Sequence, residues 1–142
     1  MSGVAVIRYL LAHNAPLLAQ VPEERIVAGE LPIDSVLPAI SVKQVSSVPR
    51  NIVSMSVGHR QHTDRVQVSV LVKGTEGTPA GAGYPGQRTL LALVLAACPH
   101  TRGVVNGTDV DSIIPDAEGP DFADLAVSLN MGSRDFIVKW NE

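Results

Sequence analysis

The chain has 142 residues, 45% of them apolar, 18% charged and 4% aromatic, with a formal charge of −3 and one cysteine. That length supports one buried core, and the balance is too apolar for a disordered chain. Acids and bases are interspersed, which argues against nucleic-acid binding; no apolar run reaches the about 18 residues of a membrane helix; and Cys98, being alone, cannot form an internal disulfide, which fits a reducing compartment.

In chain order, Val4, Ile7, Leu10 and Leu11 recur at helical spacing and predict an amphipathic first helix that stops at Asn14-Ala15-Pro16. No basic region precedes these residues and Arg8 interrupts them, so the stretch does not read as a secretory signal. Glu24 to Ala28 predicts a short strand ended by Gly29 and Pro32. Pro38 to Val45 predicts another, with Ile40 and Val42 in phase and Val45 out of phase by one. Asn51 to Val57 sets Val53, Met55 and Val57 against Ser54 and Ser56, the period of a half-buried strand, and Gly58 to Asp64 reads as a polar connection.

Arg65 to Lys73 is the cleanest strand: Val66, Val68, Val70 and Val72 share one face, and Arg65, Gln67, Ser69 and Lys73 the other. After a glycine-rich stretch, Pro85 to Cys98 places Leu90, Leu91, Val94 and Cys98 on one helical stripe, with Pro99 at its end. Gly103 to Ile114 reads as strands joined by an Asn106-Gly107 turn, and Asp116 to Asp124 as an acidic loop. Val127, Leu129 and Met131 alternate, and then the phase shifts to Phe136, Val138 and Trp140. Such a switch predicts a bulge or turn at Gly132-Ser133. Two helices and five or six strands with mostly hairpin-length links predict an α+β domain spanning 1–142, an antiparallel-rich mixed sheet with the helices on one face.

The stretch from Gly81 to Gly86 ahead of a helix has the outline of a phosphate-binding loop. That chemistry needs a lysine after the last glycine for the phosphates and then a Ser or Thr for magnesium; Gln87 and Arg88 stand there, and Gly74 to Ala80 separates Gly81 from the strand. The segment at about 74–86 therefore reads as a flexible loop feeding a helix. His59 and His62 are three apart but lack a third ligand at a recognisable spacing. The run Asp109, Asp111, Asp116, Glu118, Asp121 and Asp124 is broken by Ile113-Ile114-Pro115 and does not fit a calcium loop. Cys98 lies on an apolar stripe and no serine occupies a Gly-x-Ser-x-Gly turn, so no catalytic residue, metal site or cofactor is expected.

The succession RIVAGELP, LPAISVKQVSSVPR, DRVQVSVLVKG, TLLALVLAACP, VDSIIPDAEGPDF and SRDFIVKW resembles the tail-completion proteins of long-tailed bacteriophages and prophages, the group that includes tail terminators. The resemblance covers nearly the whole chain, and Thr75 to Tyr84 departs from it by being longer and richer in Gly and Pro. It implies an α/β subunit that assembles into a hexameric ring, ends growth of the tail tube and offers the surface that joins tail to head. The implied partners are further copies of the chain, the major tail tube protein and a head-completion or connector protein. The implied place is the virion tail, assembled in the bacterial cytoplasm, with no membrane and no sequence-specific nucleic acid. Under that reading Arg50, Arg60, Arg65, Arg88, Asp116, Glu118 and Asp121 are candidate contacts between subunits or with the tube, and so are Thr75, Glu76 and Tyr84 of the glycine-rich segment. A head-side connector ring and a small ligand-binding domain are the alternatives.

Overall fold

The computed structural model describes residues 2–32, 36–51, 60–74, 83–124 and 129–142. Three α-helices, α1 (Gly3–Ala12), α2 (Ala15–Leu18) and α3 (Gly83–Ala97), lie with seven strands: β1 (Ile26–Ala28), β2 (Ala39–Asn51), β3 (Arg60–Lys73), β4 (Gly103–Val105), β5 (Thr108–Glu118), β6 (Phe122–Asp124) and β7 (Leu129–Asn141). The strands form one mixed sheet in the order β1-β2-β3-β7-β5-β4, with β6 continuing beside β7. Only β1 and β2 pair in parallel; the other pairings are antiparallel. The fold is α+β, as the alternation of patterns predicts.

The helices share one face of the sheet. The side chains that point toward them are Val66, Val68, Val70 and Val72 of β3 and Phe136, Val138 and Trp140 of β7. Val6, Ile7 and Leu11 of α1 and Leu90, Leu91, Val94 and Cys98 in and just after α3 close the core from the other side. Ser2 caps α1 by accepting from the Ala5 amide, 3.1 Å. Asn14 caps α2 by accepting from the Leu17 amide, 3.0 Å. Pro16 therefore sits in the first turn of α2, where its missing N–H costs nothing, and the predicted stop after α1 is also a restart.

Four sequence expectations need correction. Residues 60–64 belong to β3 and not to a polar connection, because Asp64 is buried among hydrogen-bond donors from distant segments. The expected acidic loop is strand: β5 runs to Glu118 and β6 resumes at Phe122, both against β7. No bulge interrupts β7 at Gly132-Ser133, since its register with β3 runs unbroken from Leu129 to Asn141. Leu129 and Met131 lie on the outer face, Phe136, Val138 and Trp140 on the inner one. Gly132 occupies the inner row opposite Val70, and a Cβ there would lie 2.1 Å from Gln87 Nε2 and 2.9 Å from Leu91 Cδ1, so its bareness lets α3 seat on the sheet. Finally, residues 83–86 of the expected flexible loop are the first turn of α3.

The Asn106-Gly107 turn joins β4 to β5 as predicted, with φ of 47° and 79°, both in the left-handed region a two-residue hairpin of this type requires. A bulge does occur in β2, at Val45, where the register against β3 shifts between Gln44 and Ser46. The out-of-phase valine in the sequence is its signature. The predicted strand at 51–57 has Asn51 as the last residue of β2, and the rest of it lies outside the described residues.

Candidate interaction surface

Charged side chains of β3, β5, β7 and α3 pair on both faces of the sheet: Arg65 and Asp135 lie on the outer face, whereas Arg134 lies in the helix-facing row with Phe136 and meets Arg88 of α3 at Glu118. Arg65 Nη1 of β3 lies 2.7 Å from Asp116 Oδ2 and 3.2 Å from Asp135 Oδ2. Arg134 Nη2 of β7 lies 3.2 Å from Glu118 Oε1, and its Nη1 donates to the Asp116 carbonyl at 3.4 Å. Arg88 of α3 reaches the other oxygen, Glu118 Oε2, at 3.3 Å. That hydrogen bond, with the charge of Glu118, raises the Arg88 pKa further above an already high value. Gln87, buried, donates from Nε2 to Asp121 Oδ1 at 3.1 Å.

Two groups of ion pairs result, both within the subunit: Arg65 with Asp116 and Asp135, and Glu118 with Arg88 and Arg134. Of the candidate contact residues, Arg65, Arg88, Asp116 and Glu118 are thus paired within the subunit. The pairs are partly exposed and screened by solvent, so they fix how β3, β5, β7 and α3 fit together more than how strongly. Arg134 escaped sequence reasoning, although its place two residues before Phe136 puts it on the same side-chain row.

Arg50 and Arg60 lie apart from this cluster, exposed at the open end of the β2–β3 pair, and make no ion pair among the described residues. Tyr84 is 50% exposed in the first turn of α3. Thr75 and Glu76 lie outside the described residues. Exposed apolar residues add Val45, Val48, Ile114 and Phe122 to the surface. At the β1 edge, Val27, Leu31, Pro32, Val36 and Ala39 line a shallow groove of about 330 Å³ with Glu24 and Arg25.

A second polar cluster is buried. The Asp64 carboxylate accepts from the Gly3 amide at 2.8 Å, Trp140 Nε1 at 2.8 Å and Ser47 Oγ at 2.5 Å. The carboxylate thus meets the positive end of α1, where exposed backbone amides favour an anion. Gly3 permits the contact: a Cβ there would stand 2.8 Å from Asp64 Cβ. His62 stacks on Trp140 with ring centroids 4.3 Å apart, and its Nε2 lies 3.5 Å from Glu142 Oε1 without a hydrogen bond. This arrangement joins helix to sheet. Its carboxylate is already engaged by three donors.

Residues 75–82 of the glycine-rich segment lie outside the described residues. Gln87, in the place a phosphate-binding lysine would take, points into the protein against Gly132 and Asp121. His59 lies outside the described residues, and no group of three or more metal-ligating side chains occurs among the described ones. Burial pushes the Cys98 thiol up to about 12, which keeps it protonated and unreactive near neutral pH. No helix among the described residues is long and apolar enough to cross a membrane.

No protein-family model and no curated protein matches this sequence. Among solved structures, a chain in the virion of a native gene transfer agent particle is similar to this one. The two share 13% sequence identity with a TM-score of 0.66, over 99% of this chain and 96% of that one. At that identity the likeness establishes a shared fold across the whole chain.

Proposed function

We propose that this chain is a structural protein of a phage-like particle and, within it, a tail terminator. Its copies close into a ring on the end of the tail tube, stop tube growth and present the surface to which the head is joined. The observation that carries this reading is the whole-chain likeness to a subunit of a gene transfer agent virion. The finer assignment rests on the order and wording of the sequence segments that resemble tail terminators. The surface chemistry is compatible with it: charged groups are engaged in ion pairs or displayed on sheet edges, the buried carboxylate is saturated by donors, and the cysteine is inert. On this reading the protein is not an enzyme and needs no cofactor. Its partners are its own copies in a six-membered ring, the major tail tube protein and a head-completion protein, in the tail of the virion.

Mixing the purified chain with assembled tail tubes tests the assignment. The expected result is a ring at one end of each tube in electron micrographs, together with capture of the tube protein in a pull-down. Capture of the head-completion protein without any binding to tubes contradicts it and assigns the chain to a head-side connector.

A further inference from the structure

We infer that the ring closes through the two free edges of the sheet: the β2 edge at Gln44 to Val48 of one subunit docks beside the β5 edge at Ser112 to Pro115 of the next. This rests on the ring reading above and names the surfaces that make the ring.

Both edges are open among the described residues. β1 pairs with β2 from Ile40 to Val42, and Glu30 reaches Lys43, but no described strand lies beyond β2 from Gln44 onward. On the opposite side, β4 covers β5 only from Thr108 to Val110. The register places the two open stretches at the same height. Gln44 and Ser46 to Val48 stand, across β3, level with Phe136 to Lys139 of β7, and Ser112 to Pro115 pair with those same four residues from the other side.

Strand direction also fits. Two antiparallel steps make β2 parallel to β7, whereas β5 is antiparallel to β7. Copies set side by side in one orientation therefore bring β2 and β5 together antiparallel, a heterologous contact that closes by rotation. Joining β2 to β2 would instead give a two-fold dimer with no further growth.

The chemistry of the edges is complementary. Val45 and Val48 are 55% and 49% exposed on one, and Ile114 is 45% exposed on the other. Arg50 and Arg60 near the β2 edge make no ion pair among the described residues. Toward the matching end of β5, Asp109 and Asp111 are held by the amides of Asn141 and Gln61 and by no cation among the described residues. Charges so placed set partner and register more than affinity. The bulge at Val45 and the prolines Pro49 and Pro115 restrict how far a backbone ladder could spread, a device that guards edge strands against open-ended stacking.

Cysteine pairs test the contact in the full chain. Ser46→Cys and Ile114→Cys place one thiol on each edge, level with Ile137 and on the outer face, while native Cys98 stays buried. The protein, free and bound to tail tubes, is treated with a short bis-maleimide and resolved on a denaturing gel. The double variant is expected to give a covalent ladder that ends at the ring size found by native mass spectrometry, and each single variant to remain a monomer. A dimer from Ser46→Cys alone overturns the inference in favour of a β2-to-β2 contact. Rings that form without any ladder overturn it while leaving the ring reading intact, whereas failure to form an oligomer either free or on tubes overturns both.

Discussion

Replacing Asp64 by alanine is expected to cost about 2–6 kcal/mol of stability, because it strands two buried donors. The carboxylate is 1% exposed and accepts from Gly3, Trp140 and Ser47. Truncation leaves the Gly3 amide and the Trp140 indole N–H buried without an acceptor, and each stranded donor costs about 1–3 kcal/mol. It also frees the N-terminus of α1 from the sheet. Ser47→Ala removes only one donor from an exposed position on β2 and is expected to cost about 0.5–1.5 kcal/mol. Urea unfolding of the two variants measures the difference, provided the slope of the transition is unchanged. Equal and small losses would mean that solvent already satisfies these donors and that the helix is not anchored at Asp64.

Phe136→Ala is expected to lose a similar amount, about 3–5 kcal/mol, through a different cause. Phe136 is fully buried in the inner row of β7, opposite Val66. Removing its ring opens a cavity between the sheet and the helices. Its neighbour Ile137 points to the outer face, opposite Arg65 and Ile114, and its truncation is expected to cost clearly less. The contrast tests the register itself, because a slip of one residue would exchange the two faces. A larger loss at Ile137 than at Phe136 would contradict the orientation of β7.

Much of this architecture is legible in the chain because local pattern and tertiary burial agree. The valines of β3, the stripe from Leu90 to Cys98 and the Asn106-Gly107 turn all do in the fold what their spacing implies. Two of the differences concern polar residues that local pattern assigns to loops, at 60–64 and 116–124. Asp64 is inside because its donors come from 61 and 76 residues away, and no periodicity rule registers them. Asp116 and Glu118 sit in a strand, where Arg65 of β3, reaching across β7, and Arg134 of β7 neutralise them. Leu129 and Met131 suggested a change of face because an outer-face apolar residue, Phe122, waits opposite Met131. The candidate contacts are mostly charged residues, and four of them, Arg65, Arg88, Asp116 and Glu118, are paired within the subunit. Which of them are spent inside the subunit, and which stay on its edges, depends on strand order.

That distinction moves the functional weight from the acidic segment to the open ends of the sheet. Arg65, Arg88, Asp116 and Glu118 are paired within the subunit, and in the proposed ring Arg50, Arg60, Asp109 and Asp111 face the next copy. On the proposed assignment such a ring acts by shape, with a tube on one side and a head on the other.

The most direct measurement is the length distribution of tail tubes in lysates of the host, with and without the gene for this chain. Loss of the gene is expected to give over-long tubes and unjoined heads, with normal length and joining restored when the chain is supplied in trans. Tubes of normal length joined to heads in the absence of the chain would contradict the account.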